Sequence, residues 1–111
     1  MIRTFCVGNL VEDPDLKYVG QNNIALVSTR IACPARGKTV FMNIEFWGKH
    51  AEVIAQYGHK GSCISADCQL KEEVWETEGR KNYKFVLACD AFDFVGGKSK
   101  EEKEEEEKQD D

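Results

Sequence analysis

Apolar and polar positions alternate with a period of two along most of this chain, and the alternation changes once. Ile2, Thr4, Cys6 and Gly8 alternate against Arg3, Phe5 and Val7, which predicts a strand over 2–10. Residues 11–23 are polar and turn-rich, a long connection. A second strand over 24–32 puts Ser28 and Arg30 on one face, and 33–38 supply Pro34 and Gly37 for a hairpin turn. The third strand, from about 39 to 47, sets Met42, Ile44 and Phe46 on an apolar face. Then the period becomes helical: over 50–57, Val53, Ile54 and Tyr57 fall on one side, with Glu52 in the first turn and Gly58 as a left-handed cap. A helix of about two turns cannot stand alone and must pack on a sheet. Residues 61–70 read as a fourth strand, 71–84 as a long hairpin turning near Gly79, and 85–95 as a fifth strand.

Five strands with a single short helix between the third and fourth match the order of an OB-fold barrel, an all-β class. The sequence of 111 residues has room for one modest core, and the expected domain is 1–97. Residues 98–111 form a run rich in Glu, Lys and Asp that is too self-repelling to fold alone, so a disordered acidic tail is expected there.

The third strand raises a question on its other face, which carries Phe41, Asn43, Glu45 and Trp47: two large rings among polar residues. In an OB barrel the outer surface of strands two and three, flanked by the hairpin between strands four and five, is where oligonucleotides lie. Phe41 and Trp47 then serve as stacking platforms for unpaired bases, and Trp75, on the face of the hairpin that carries Lys71 and Glu73, is a third. Cations recur through the same elements: Arg30, Arg36, Lys38, Lys49, Lys71, Arg80, Lys81 and Lys84 are the expected phosphate contacts. The competing structural role for any one ring is packing against a neighbour or another subunit.

Charge sharpens this picture. The net charge is −5, but the tail holds four Lys against eight acids, leaving 11 basic and 12 acidic residues before it. A nucleic-acid site on so neutral a domain must be a local groove. The five cysteines contain no C-x-x-C pair, and with His50 and His59 they show no zinc-ligand spacing, so buried reduced thiols and no metal or other cofactor are expected. No nucleophile or carboxylate stands at motif spacing to either histidine, which argues against an enzyme. With no apolar run of membrane-spanning length and no signal peptide, the expected location is cytoplasmic.

Three segments then carry a resemblance. "VGNLVEDPDLKY" (7–18), "FWGKHAEVIAQYGHKGS" (46–62) and "LKEEVWETEGRKNY" (70–83) are similar, in this order, to the bacterial-type single-stranded-DNA-binding proteins. The resemblance covers nearly all of 1–97. It implies an OB-fold that wraps single-stranded DNA without sequence preference in replication, repair and recombination, usually as a homotetramer. It implies base stacking at the positions of Phe41, Trp47 and Trp75, and basic residues at those of Lys49, Lys60 and Lys71. Departures are visible as well. The turn "CPARGK" has Ala35 near a position where some members carry a tryptophan, and Asn43, Met42 and Glu73 stand where cations are common, so phosphate contacts are expected to be weaker. Cys63, Ser65 and Ala66 are small at positions expected to support the tetramer. The sequence ends at Asp110-Asp111 without the terminal Pro-Phe that docks partner enzymes, so no such docking is carried over. The short form suits a phage or mobile-element member, acting in the host cytoplasm. The alternative function is an OB module for protein interaction, like the primosome-type relatives of this family.

Overall fold

The alternating stretches become six strands and one helix. The computed structural model describes residues 1–96; the expected acidic tail over 98–111, and the last residue of the expected domain, lie outside the described residues. In chain order the elements are β1 (Ile2–Leu10), β2 (Lys17–Val19), β3 (Ile24–Ala35), β4 (Lys38–Trp47), α1 (Lys49–Tyr57), β5 (Cys63–Thr77) and β6 (Arg80–Phe94). The sheet order is β1-β5-β6-β4-β3-β2, and β1 also pairs with β3 through Asn9 and Leu10. That second pairing closes five strands into the expected OB barrel, with α1 between the third and fourth barrel strands. Neighbouring strands are antiparallel except β4 and β6, which run parallel through Asn43, Ile44 and Glu45.

Closure depends on a close approach of β1 to β3. A Cβ at Gly8 would lie 2.5 Å from the Ala32 carbonyl oxygen and 2.9 Å from Cys33 Sγ, so only glycine lets the strands meet there. The barrel is filled by alternate residues: Val27 and Ile31, Ile44 and Phe46, Ile64, Ala66 and Cys68, Leu87 and Cys89. The Phe46 ring meets Phe92 edge-on with centroids 5.3 Å apart. Helix α1 adds Ala51 and Ile54 to the core.

Several expectations are corrected. The buried line of α1 is Ala51 and Ile54, whereas Val53 and Tyr57 are half-buried. The helix packs against three strands, so its contact stripe is set by where β3, β4 and β6 sit. Gly58 is not left-handed: its φ is −91° and its backbone extended. Its N–H donates to the Ile54 carbonyl at 2.8 Å, and a Cβ would lie 2.6 Å from that oxygen. Glycine is required there for room. The long connection after β1 contains the three-residue β2, paired with the start of β3. The expected fourth strand, hairpin and fifth strand are two uninterrupted strands of 15 residues, turning at Glu78 and Gly79, both with positive φ. Their one irregularity lies between Asp67 and Cys68. On the outer side there, the Arg3 guanidinium bonds Asp67 at 2.6 Å and also Asp90.

Candidate nucleic-acid interface

Strand pairing assigns each side chain to a face, because directly opposed residues share one. Arg30 opposes Asn43, Asn43 opposes Val86, and Val86 opposes Lys71. One row along, Ser28, Glu45, Ala88 and Gln69 line up in the same way. Leu26 opposes Trp47, Ala32 opposes Phe41, Glu73 opposes Lys84, and Trp75 opposes Asn82. Two-residue alternation joins these rows into one outer face spanning β3, β4, β6 and β5. Phe41, Trp47 and Trp75 all stand on it, 50%, 39% and 45% exposed, together with Arg30, Lys71 and Lys84. Rings that large on a strand face turned to solvent are available for stacking.

The cations are not all alike. The Arg30 guanidinium lies over the Phe41 ring, 4.9 Å from its centroid, and covers part of that platform. Lys71 Nζ is 2.8 Å from Glu45 and 3.8 Å from Glu73, and Lys84 Nζ is 3.5 Å from Glu73. Arg80 opposes Thr77 at the hairpin tip and continues this face by alternation. Lys49 opens α1 two residues past Trp47, in a depression it shares with Tyr18 and Glu52. Lys81 opposes Glu76 and falls on the opposite side of the hairpin. Lys38 alternates with Val40 and Met42, on the side that turns into the core, and Arg36 sits in the β3–β4 turn. Lys60 lies in the loop after α1, where its N–H donates to the Asp13 carboxylate at 2.7 Å. The fold thus gathers the three rings with Arg30, Lys71, Lys84 and Arg80, and leaves Lys38, Lys60 and Lys81 off that face.

Glu45 is the residue that sequence reasoning underrated. It is 8% exposed, accepts a hydrogen bond from Trp47 Nε1 at 3.1 Å, and pairs with Lys71. Burial pushes its carboxyl up, but the hydrogen bonds from Lys71 and Trp47 and the nearby ammonium charge outweigh that and hold it below the ordinary value. Val86, opposed by Asn43 on one side and Lys71 on the other, is 1% exposed although it belongs to the outer face. The signal available in sequence was a lone acid between two rings, which does not reveal that a lysine on another strand reaches it.

At the β2–β3 end of the same face, a depression of about 300 Å³ is lined by Glu12, Asp13, Asp15, Lys17, Leu26 and Ser28. Three carboxylates against one ammonium make that end repellent to phosphate. Beside Trp75, an open cleft of about 440 Å³ includes Glu73 and Lys84. Among the described residues no group of three or more His, Cys, Asp or Glu could hold a metal ion, and no helix is long and apolar enough to cross a membrane.

The sequence pattern of the Single-strand binding protein family matches residues 1–95. A Treponema pallidum protein named single-stranded DNA-binding protein is 31% identical, over 81% of this chain and 55% of its own length. A Synechocystis protein named single-stranded DNA-binding protein 1 is also 31% identical, over 83% of this chain and 81% of that protein. Single-stranded DNA-binding protein 2 of Streptococcus agalactiae is 29% identical, over 81% of this chain and 69% of the relative. This chain therefore spans little more than half of the Treponema protein and about 70–80% of the other two. With an OB barrel and an outer face of rings and cations already in place, the match over nearly every described residue leads to one conclusion: the chain belongs to the single-strand binding protein family.

Proposed function

We propose that the protein binds single-stranded DNA without sequence preference, protecting and organising it in replication, repair and recombination, and that it does so without catalysis. The observation that carries this reading is the strand register that aligns Phe41, Trp47 and Trp75 with Arg30, Lys71 and Lys84 on one outer face. Every base has a π-face, so rings accept any sequence, while guanidinium and ammonium groups accept the phosphates between bases. The acidic β2–β3 end directs the backbone toward the hairpin, where Lys84 and Arg80 continue the path. Phosphate reaching Lys71 competes with Glu45 and Glu73, so this contact is weaker than a free lysine offers. Lys49 extends the path toward α1.

A homotetramer is part of the reading, supported by the family resemblance and by the edge of β1. Strand β1 pairs along β5 from Ile2 to Asn9, but with β3 only at Asn9 and Leu10, so among the described residues its other edge is open over most of its length. Phe5 and Val7 stand exposed on its outer side. Reduced cysteines, all five of them free, fit a cytoplasmic setting.

Tryptophan fluorescence tests the proposal, since both tryptophans lie on the face. Titration with a thymidine oligomer is expected to quench emission strongly and titration with duplex DNA weakly. Replacing Trp47 or Trp75 with alanine should weaken single-strand binding by about 1–3 kcal/mol each. Equal response to duplex, or full affinity in both variants, would transfer the rings to a protein partner and make this an interaction module of the primosome type.

A further inference from the structure

Two carboxylates compete for the cations of the ring face, and they differ in what replaces a cation that leaves. Lys71 Nζ is 2.8 Å from Glu45 and 3.8 Å from Glu73, and Glu73 also reaches Lys84 at 3.5 Å. The Glu73 side chain is 37% exposed, so water takes the place of a departing ammonium. The Glu45 side chain is only 11% exposed and bonds Lys71 and the Trp47 indole. Across the pairing it meets Ser28 on β3 and Ala88 on β6, which bring no charge. The other cations of this face are engaged or distant in register: Arg30 lies over Phe41, Lys84 reaches Glu73, Lys17 opposes Leu26 on β3, and Arg80 stands at the hairpin tip. Among the described residues, Lys71 is therefore the one cation within ion-pair distance of Glu45.

We propose that Glu45 couples single-strand binding to proton uptake: phosphate draws the Lys71 ammonium away, and the carboxylate left behind takes a proton from solvent. The inference rests on the DNA-binding reading and deepens it by naming what regulates that face. In the free protein the bonds from Lys71 and Trp47 hold the carboxyl below its ordinary value despite burial. In the complex the burial remains, the ammonium turns to phosphate, and the phosphate adds negative charge nearby. Each of these favours the neutral acid. Protonated Glu45 still accepts the Trp47 N–H, so the ring keeps its orientation in both states. The complex therefore holds more protons than the free protein, and affinity rises as pH falls, by at most about tenfold per pH unit. Both histidines stand away from this exchange. His50 meets the Phe92 ring edge-on with centroids 6.0 Å apart, and His59 Nδ1 lies 2.8 Å from the Lys60 carbonyl oxygen.

Fluorescence titration of the full chain with a thymidine oligomer, at constant ionic strength from about pH 7.5 to about pH 5, tests it. Thymine carries no group that titrates in this range. The parent is expected to bind about three- to tenfold more tightly at the acid end. Glu45→Gln should lack that gain and should bind more tightly than the parent near neutrality, because Lys71 is already free for phosphate. Lys71→Met should also lose most of the gain, since Glu45 has no ammonium to surrender, but should bind more weakly near neutrality. Lys71 is 39% exposed, so this second change spares the barrel and carries the test even if Glu45→Gln folds poorly. Calorimetry in two buffers of different ionisation heat should show proton uptake on binding by the parent and almost none by either variant. Parallel profiles for the parent and Glu45→Gln, or binding by the parent without proton uptake, overturn the proposal; Lys71 then bridges phosphate and Glu45 without release. Either result, with binding intact, leaves the DNA-binding reading standing. No quenching at any pH sinks that reading, and this inference with it.

Discussion

Glu45 holds a carboxylate in the middle of the face that carries the rings and cations, and its partners explain how it persists there. It anchors the Trp47 indole through Nε1 and holds Lys71 across the β6 strand, so it orients one stacking ring and one cation together. Its folded-state acidity has a consequence for stability. A carboxyl held below its ordinary 4.5 contributes stability that is complete above that value and is lost as pH falls through the folded-state value. Urea unfolding of the parent and of Glu45→Gln should therefore differ most near neutral pH, and the gap should shrink below about pH 4. A constant gap would remove the carboxylate charge from the account. The thiols make a second residue-scale case. Cys6 contacts both Cys68 and Cys33; the bond to Cys68 first, and then burial, raise the Cys6 thiol well above its usual value, while burial and the neighbouring Cys6 push Cys33 up to about 11. At pH 7.5 these two are protonated and poorly nucleophilic. Only Cys68 and Cys89 are buried, Cys6, Cys33 and Cys63 being half-buried, so the expectation of buried thiols holds for two of the five. Iodoacetamide should still label Cys6 and Cys33 slowly in the folded protein and rapidly in denaturant; rapid labelling of either in the native chain would contradict their raised pKa.

At the scale of elements, the hairpin and the β1–β3 closure decide most of what is particular here. Glu73 stands between Lys71 and Lys84 on the stacking face and draws on both. These pairs are substantially exposed, so each is worth little by itself. Glu73→Gln should nonetheless strengthen single-strand binding by up to about fivefold and steepen its salt dependence, because Lys84 becomes free for phosphate and Lys71 keeps only Glu45 as a competitor. Unchanged affinity would mean that the strand does not pass this row. The closure has a sharper requirement. Gly8→Ala places a methyl group against the Ala32 carbonyl oxygen, and backbone cannot swing aside as a flexible side chain can. A loss of about 1–3 kcal/mol in chemical denaturation is expected, and a neutral result would imply that β1 and β3 separate without cost.

For the whole molecule, the balance of charge matters more than its total. The part before the tail is nearly neutral, with 11 basic and 12 acidic residues. Its cations are useful because the fold segregates them: Arg30, Lys71 and Lys84 line the ring face, while Glu12, Asp13 and Asp15 collect at one end. Arg80 and Lys49 extend that line to five phosphate contacts, which at about 0.7 each predict a slope of about −3.5 for log affinity against log salt per subunit. A much steeper slope would require cations that register places elsewhere, such as Lys38, Lys60 or Lys81.

The sequence determined the barrel and its outward-facing rings, because both are written in local periodicity. Strict alternation across 41–47 puts Phe41 and Trp47 opposite Ile44 and Phe46 whatever the strand pairs with, and the single helical stretch falls where an OB barrel needs it. Element boundaries were less legible. Nothing local separates a strand that ends at Leu70 from one that runs to Thr77, since continuation depends on β6 pairing back along it, from Lys71 with Val86 to Thr77 with Arg80. Gly58 looked like a left-handed cap because glycine serves that need often, whereas the crowding by the Ile54 carbonyl exists only once α1 has formed. Which cations belong to the ring face was beyond one-dimensional reading. Lys81 and Lys84 are three apart on one strand and so face opposite sides, and only the pairing of β6 with β4 and β5 says which side meets Phe41. Local pattern fixes how each strand divides its side chains between two faces; tertiary pairing decides what each face touches, because that contact is made by residues distant in the chain.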